Sequence, residues 1–276
     1  MLYATIFVCV SLLCTLLFAH FVSAGALWAP LIFVLSFLLC HSLYVLRFFL
    51  ACGPQDRSRP IEKQNPTARR GCAGAAGFLC AYGGLKVRIH GREKLPRDRR
   101  FLFVCNHRSL FDPLIVMDKL RDYNISFISK PSNLAIPLAG DVAYAAGYLA
   151  IDRENDRKAL KTILAAADYM KRDLCSVGIY PEGTRSHTEE MLPFHPGSFK
   201  LAQRAGAPLV ITCVRGTGEI HKHPLRLPKI VDLDILAVLE PEQGKAMSTS
   251  ELSDYSRRLI QDCLDGKISG EEAQAL

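Results

Sequence analysis

The sequence predicts an α/β domain with a mostly parallel mixed sheet flanked by helices, preceded by an N-terminal hydrophobic two-helix membrane segment. From Leu85 onward, short apolar runs typical of buried strands alternate with helical patterns, as in βαβ units. At the start of the chain, Leu2 to Phe21 and Leu27 to Leu46 contain no charged residue, and each is about long enough to cross a bilayer.

The two apolar segments predict a helical hairpin that anchors the chain to a membrane. A cleaved signal peptide is the alternative for the first segment, but residues 1–20 lack the basic residues with which such peptides begin. Spanning the bilayer and dipping into one leaflet both stay open, because His20, Pro30 and His41 interrupt the apolar pattern. Lysine and arginine are absent from Val22 to Pro30 and frequent after residue 46, so the domain is predicted to be cytoplasmic.

Composition divides the chain into three predicted parts: an anchoring hairpin at 1–52, a basic linker with a short helix at 53–82, and the cytoplasmic domain at 83–276. The net charge of +7 sits largely in the basic stretch after the hairpin, where it would meet anionic headgroups. No nucleic-acid recognition motif accompanies these charges, so nucleic acid is not an expected partner. The ten cysteines show neither disulfide nor metal-ligand spacing, and His221 and His223 resemble a solvated turn, so no metal site is expected.

Local patterns predict the order of the remaining elements. The predicted helices are Gly71 to Tyr82, one after Pro113, Leu134 to Ala146 interrupted by Pro137, Asp156 to Arg172, and Ser198 to Ala205. The predicted strands are Leu85 to His90, the run before Asn106, Ile125 to Ser129, Tyr148 to Ile151, Ser176 to Tyr180, Leu209 to Val214 and Val231 to Leu239. The helix from Asp156 is amphipathic, with Leu160, Ile163, Leu164, Ala167 and Met170 on its apolar side.

The stretch from Phe101 to Pro113 places an imidazole and a carboxylate at the end of a buried strand. His107 follows the apolar run, and Asp112 before Pro113 predicts the N-cap of a new helix. Ligands of open α/β sheets bind beyond the C-terminal strand ends, so Asp112 could orient His107 as a general base. A plain helix cap and a structural histidine are the alternatives.

Three cations follow neighbouring strands at the same predicted edge. Lys130 ends ISFIS, Arg153 ends GYLAIDR, and Arg185 lies in the turn PEGTRS together with Glu182. Each cation alone could simply reach into solvent. Together they suit a phosphate, because arginine offers forked donors and lysine a point charge.

Four blocks of the domain resemble those of the glycerolipid acyltransferases. Asn106 to Asp112 is similar to the NHxxxxD block of that family, and Tyr180 to Ser186 to its PEGTRS block. Gly147 to Arg153 and Ala207 to Val210 resemble its second and fourth blocks. The likeness runs from about Lys86 to Val214 and is to the 1-acyl-sn-glycerol-3-phosphate (lysophosphatidate) acyltransferases.

This resemblance implies an activity: transfer of an acyl group from acyl-CoA or acyl-ACP to the sn-2 hydroxyl of 1-acyl-glycerol-3-phosphate, giving phosphatidic acid. His107 would then be the general base and Asp112 its orienting acid. The implied substrate-binding residues are Lys130, Arg153, Glu182, Gly183, Thr184 and Arg185. No cofactor is expected beside the acyl-CoA or acyl-ACP co-substrate, and the expected partners are a lysophospholipid acceptor, that donor and membrane lipids.

Two other functions stay open. The acceptor could be another lysolipid, such as a lyso-ornithine lipid or a lysophospholipid with a headgroup, because cations bind a phosphate whatever is attached to it. A non-catalytic membrane lipid-binding protein is the second alternative. The pairing of His107 with Asp112 argues against it, because a binding protein needs no general base.

Overall fold

The computed structural model describes residues 2–22, 25–186, 188, 190–222 and 227–271, so that His223 lies outside the described residues. It divides into two compact units, Met1–Gly53 and Pro54–Leu276. Residues 54–82 therefore fall within the second unit. The three-part division made from the sequence stays a prediction.

The first unit is a pair of apolar helices, α1 (Leu2–Phe21) and α2 (Gly25–Cys52). They pack through aromatic contacts, with the Phe7 ring meeting His41 and Tyr44 edge-on at centroid distances of 4.9 and 5.6 Å. Trp28–Cys52 is long and apolar enough to cross a membrane, and Thr5–Phe21 is a shorter apolar stretch. The predicted pair of hydrophobic N-terminal helices is confirmed, and it is consistent with a membrane segment.

The second unit alternates strands and helices, which confirms the α/β class. Its elements in chain order are α3 (Pro66–Tyr82), β1 (Leu85–His90), β2 (Leu102–Cys105), α4 (Phe111–Lys119), β3 (Ile125–Ser129), α5 (Pro131–Leu134), α6 (Ala139–Ala145), β4 (Leu149–Ala150), α7 (Asp156–Lys171), β5 (Ser176–Ile179), α8 (Lys200–Ala205), β6 (Leu209–Arg215), α9 (Glu219–Lys222), β7 (Lys229–Leu239), α10 (Pro241–Ala246) and α11 (Thr249–Leu264).

The strands form one sheet in the order β1-β7-β6-β2-β5-β3-β4. Only the β6–β7 pair is antiparallel among these neighbours, so the predicted mixed, mostly parallel sheet is confirmed. Val104 of β2 pairs with Ile179 on one side and Ile211 on the other. The strands β2, β5, β3 and β4 therefore run in one direction and end at the same edge, where ligands bind in such sheets.

Both faces of the sheet are covered by helices. Leu102 and Val104 of β2 belong to the core beneath α7, α8 and α11, whereas Phe103 and Cys105 belong to the core beneath α3 and α4. This alternation follows from the two-residue period of a strand. Because β2 is buried on both faces, it reads in the sequence as a continuous apolar run.

Two helix boundaries differ from the prediction for local reasons. α3 begins at Pro66 and not at Gly71, because the Asn65 side chain accepts hydrogen bonds from the Thr67 and Ala68 N–H groups at 2.9 and 3.2 Å. The predicted helix from Leu134 to Ala146 consists of α5 and α6. They are separated near Pro137, where Leu138 has a φ of +63°.

The outer helices differ from the prediction in two further respects. Leu160 and Leu164 of α7 are 47% and 45% exposed, while Ile163, Ala167 and Met170 of the same predicted face are buried. The sequence analysis missed α11, although Ser248 and Glu251 form a capping box, which marks the start of a helix. The signal was present at the required spacing.

His90, on the outermost strand β1, binds two carboxylates. His90 Nε2 lies 2.9 Å from Asp232 Oδ1, and its Nδ1 lies 3.1 Å from Glu271 Oε1. These hydrogen bonds, first that of Asp232, raise the pKa of His90 above its usual value. A pKa that is higher in the folded than in the unfolded state stabilises the fold fully below the unfolded pKa of about 6.5. This contribution is lost as the pH rises through the raised pKa.

We therefore expect His90→Gln to lower the melting temperature more at about pH 5.5 than at about pH 9, since only the protonated imidazole forms two ion pairs. Thermal unfolding of both proteins in detergent at the two pH values measures the difference. Lys86→Gln, an exchange elsewhere on β1, serves as the control. Equal losses for His90→Gln at the two pH values would contradict the assignment.

Candidate active site

Asn106 extends the central strand into the site. Its side-chain Nδ2 donates to the Val214 carbonyl at 3.0 Å, and its Oδ1 accepts from the Val214 N–H at 2.8 Å. The amide thereby replaces the next backbone pair of the β2–β6 ladder. This buried contact fixes the direction in which the chain leaves the sheet at His107.

His107 and Asp112 form the predicted pair. The imidazole Nδ1 lies 2.9 Å from Asp112 Oδ2, and the same oxygen accepts from the Arg108 and Ser109 N–H groups at 2.7 and 2.8 Å. Asp112 is 1% exposed, whereas the His107 side chain retains 18%. With the carboxylate ionised, Nδ1 carries the proton of the neutral ring and Nε2 is left as a base.

Asp112 differs in one respect from its predicted position. Helix α4 begins at Phe111, so Asp112 lies in its first turn and is not the N-cap. The predicted cap at Asp112 was wrong because its carboxylate points back to the preceding loop, where it accepts N–H groups of Arg108 and Ser109. The carboxylate therefore orders this loop and orients the imidazole at the same time.

The backbone of His107 is held on both sides by the PEGTRS segment. The His107 N–H donates to Glu182 Oε1 at 2.6 Å, and the His107 carbonyl accepts from the Ser186 N–H at 2.9 Å. The second oxygen of Glu182 accepts from the Leu192 N–H at 2.9 Å. Burial raises the pKa of Glu182, although the hydrogen bonds from His107 and Leu192 act in the opposite direction.

A glycine turn brings a cation close to this segment. Gly183 has a φ of +77°, and a Cβ at this position would lie 3.1 Å from the His195 ring and 3.7 Å from Arg153 Cζ. Arg153 follows β4, which pairs in parallel with β3. Its guanidinium therefore reaches the PEGTRS turn from the end of β4. Partial burial lowers the pKa of Arg153, which nevertheless stays a cation at neutral pH.

Comparison with known proteins agrees with these residues. A family model described as Acyltransferase matches residues 86–215. The 1-acyl-sn-glycerol-3-phosphate acyltransferase of Salmonella typhimurium is 30% identical over 201 residues, which cover 71% of this chain and 81% of the relative. The chain belongs to this acyltransferase family.

Other members show the same similarity. The Escherichia coli relative of the same name is 28% identical to this acyltransferase over 71% of this chain and 81% of the relative. A relative in Chlamydomonas reinhardtii is 29% identical over 89% and 72% of the two chains. The crystal structure of the LPA acyltransferase PlsC from Thermotoga maritima superposes with a TM-score of 0.63 over 93% of this chain and 95% of that one. At 22% identity this match shows a shared fold.

The structure of this acyltransferase brings most of the predicted site residues to one sheet edge. His107, Asp112, Glu182 and Gly183 adjoin one another, and Arg153 reaches the Gly183 turn. Lys130 follows β3 at this edge and is exposed. Lys130, Arg153 and Arg185 form no ion pair with any residue that the structure describes. Their predicted contacts with a substrate stay predictions.

Thr184 and Glu182 occupy different surroundings. Thr184 is exposed and makes no hydrogen bond within the described part of the acyltransferase. Glu182 is 3% exposed, and both of its oxygens accept backbone N–H groups. Its position is that of a brace between two loops, and its predicted role in substrate binding stays a prediction.

Sequence analysis missed two rings of the acyltransferase site. The Tyr180 ring stacks on the His107 imidazole with a centroid distance of 4.2 Å, and His195 packs beside the Gly183 turn. Burial raises the pKa of Tyr180 well above its usual value. Tyr180 was quoted only as a flank of the PEGTRS block. The signal in the sequence was that Tyr180 ends a predicted strand directly before the PEGTRS block.

The brace formed by Glu182 predicts a loss of stability on truncation. Glu182→Ala should lower the free energy of unfolding by at least about 2 kcal/mol, because two backbone N–H groups lose their acceptor. Thr184→Ala, two residues away and exposed, should change it by less than about 0.5 kcal/mol. Denaturant unfolding of the two variants in detergent measures both values. Equal stability of the two variants would show that Glu182 does not brace the loops.

Proposed function

We propose that this acyltransferase transfers an acyl group from a thioester donor to the free sn-2 hydroxyl of 1-acyl-glycerol-3-phosphate, giving phosphatidic acid. The observation that carries the proposal is the 2.9 Å contact between His107 Nδ1 and Asp112, which leaves Nε2 as a base beside unpaired cations. The Salmonella and Escherichia coli relatives are named for this substrate, which supports the same acceptor here.

The proposed chemistry begins at His107 Nε2. This nitrogen removes the proton of the acceptor hydroxyl while the hydroxyl oxygen attacks the thioester carbonyl carbon, and Asp112 holds Nδ1–H as the imidazolium forms. The C–S bond of the tetrahedral intermediate then breaks, and the leaving thiolate takes the proton from Nε2. The products are the new ester and a free thiol. A thioester is already activated, so this route requires positioning and proton transfer but no acyl-enzyme.

The acceptor phosphate is assigned to the unpaired cations of the same edge. Arg153 lies against the Gly183 turn, and Arg185 immediately precedes Ser186, whose N–H binds the His107 carbonyl. Each guanidinium can offer two parallel N–H donors to a phosphate, and Lys130 adds a point charge. A phosphate held by these residues would place the neighbouring glycerol hydroxyls toward His107.

The donor and the location belong to the same proposal. Acyl-CoA and acyl carrier protein both present the acyl group as a thioester, and either would supply the carbonyl that His107 chemistry requires. The apolar helix Trp28–Cys52 supports attachment to a membrane, in which the lipid acceptor is found. The basic residues that follow this helix support a catalytic domain on the cytoplasmic side.

The first experiment measures transfer of a labelled acyl group to lysophosphatidate by membranes that contain the enzyme. Coenzyme A and carrier-protein thioesters are offered separately, and a lyso-ornithine lipid and a headgroup-bearing lysophospholipid are tested as rival acceptors. Phosphatidate as the main product supports the proposal and names the donor. A preference for another acceptor would replace the proposed substrate, and no transfer to any acceptor would favour a lipid-binding protein.

Removal of the base should abolish most of this activity. His107→Ala is expected to lower kcat by at least about a hundredfold, the range of a positioned general base. His90→Gln is the matched control, because His90 lies on the outermost strand β1, three strands away from β2, where it binds Asp232. The labelled-transfer assay gives both rates. A near-normal rate for folded His107→Ala would remove His107 from the mechanism.

Removal of an arginine proposed to bind the phosphate should raise KM and leave kcat nearly unchanged. Arg185→Ala is expected to raise KM for lysophosphatidate about tenfold or more with little change in kcat, because the ion pair exists in both ground and transition states. Arg97→Ala, in the loop before β2 at the opposite edge, is the control. An unchanged KM with a lower kcat would mean that Arg185 does not bind the acceptor phosphate.

A further inference from the structure

The imidazole of His107 lies at the end of a column of three stacked rings. The Tyr180 ring covers it at a centroid distance of 4.2 Å and an interplanar angle of 21°. The Phe127 ring in turn stacks on the Tyr180 ring, at a centroid distance of 5.5 Å and an interplanar angle of 7°. His107 and Tyr180 follow the ends of the neighbouring strands β2 and β5, and Phe127 lies within the next strand, β3. Both Tyr180 and Phe127 are buried.

The column restricts a motion that the other contacts of His107 leave free. A single hydrogen bond from Nδ1 to Asp112 allows the ring to rock about the Nδ1···Oδ2 axis, so the direction of Nε2 is not fixed by it. A ring stacked on one imidazole face opposes this rocking. Because Tyr180 is itself held by Phe127 and the core, it offers a firm surface. A general base works only within hydrogen-bond reach of the proton it removes.

The column also favours one charge state of the base. An aromatic face carries negative electrostatic potential, so it attracts a cation more strongly than a neutral ring. The imidazolium exists only after His107 has taken the proton of the acceptor. Attraction of this kind stabilises the transition state more than the ground state, and it therefore acts on kcat.

We propose that Tyr180 is a positioning residue, whose ring fixes the plane of the His107 imidazole and stabilises the imidazolium formed during acyl transfer. This inference rests on the proposed role of His107 as the general base. The ring carries the effect and the hydroxyl does not. The Tyr180 hydroxyl is buried and has no hydrogen-bond partner among the described residues.

Two substitutions at Tyr180 separate the ring from the hydroxyl. Tyr180→Leu removes the stack while leaving an apolar side chain, and it should lower kcat about tenfold with little change in either KM. The acidic limb of its pH–rate profile should move to lower pH, because the imidazolium is less stabilised. Tyr180→Phe restores the ring and should recover the rate to within about twofold of the wild type.

A third variant distinguishes the stack from simple core packing. Phe101→Leu removes a buried ring of the same core cluster, whose edge contact is with Tyr123 and not with His107. It should lower the melting temperature, as Tyr180→Leu does, without moving the pH–rate profile. Two outcomes would overturn the proposal, because each would mean that Tyr180 only packs in the core. One is a lower rate of Tyr180→Leu with an unchanged pH–rate profile, and the other is an equal kinetic effect of Phe101→Leu.

The remaining outcomes are equally decisive. A normal kcat for Tyr180→Leu would show that the stack is not needed, and a Tyr180→Phe enzyme as slow as Tyr180→Leu would assign the effect to the hydroxyl. NMR titration of the His107 imidazole in detergent requires no substrate. A lower half-protonation pH in Tyr180→Leu than in the wild type supports the stack even if lysophosphatidate is not the acceptor. An unchanged value overturns the charge effect independently of the proposed function.

Discussion

The buried carboxylate of Glu182 joins the two loops on which the site depends. One oxygen binds the N–H of His107 and the other that of Leu192, so a single side chain fixes the catalytic loop to the segment after PEGTRS. A carboxylate suits this position because both of its ends accept hydrogen bonds, whereas one end of a glutamine amide donates. Its charge has a second effect, since Glu182 and Asp112 both face the region of His107. Both carboxylates favour an imidazolium at His107, because an opposite charge close by stabilises the charged ring.

Sheet topology explains why residues so distant in sequence meet. His107 and Glu182 lie 75 positions apart, yet β2 and β5 are parallel neighbours whose ends coincide. The antiparallel step between β6 and β7 reverses the direction of the remaining strands, and His90 lies on the outermost strand β1, three strands away from β2. The candidate site residues follow the ends of β2, β5, β3 and β4, which are consecutive strands of the sheet.

Local spacing predicted much of this arrangement, and the two contacts that it missed at the site share one cause. The apolar runs identified the strands, and the interval between His107 and Asp112 predicted their contact, because both depend on neighbours in the chain. The stack of Tyr180 on His107 depends instead on the register of β2 against β5, which no local pattern contains. The Glu182 side chain points inward for a similar reason, since its two carboxylate oxygens accept hydrogen bonds from His107 and Leu192, which belong to other segments. Predicting either contact would have required knowledge of which groups the fold brings within reach of each other.

The site residues fall into two groups that differ in how far folding has already ordered them. Asp112, Glu182 and the PEGTRS backbone hold His107 before any ligand arrives, so the base loses little conformational freedom when it reacts. Arg153, Arg185 and Lys130 have no carboxylate partner in the described ranges, so the charge of each is free for an incoming anion. Pairing these cations within the fold would have cost affinity, because a phosphate would first have to displace the carboxylate. Order at His107 and unpaired charge at the three cations therefore suit the two different demands of the proposed acyl transfer to a phosphorylated acceptor.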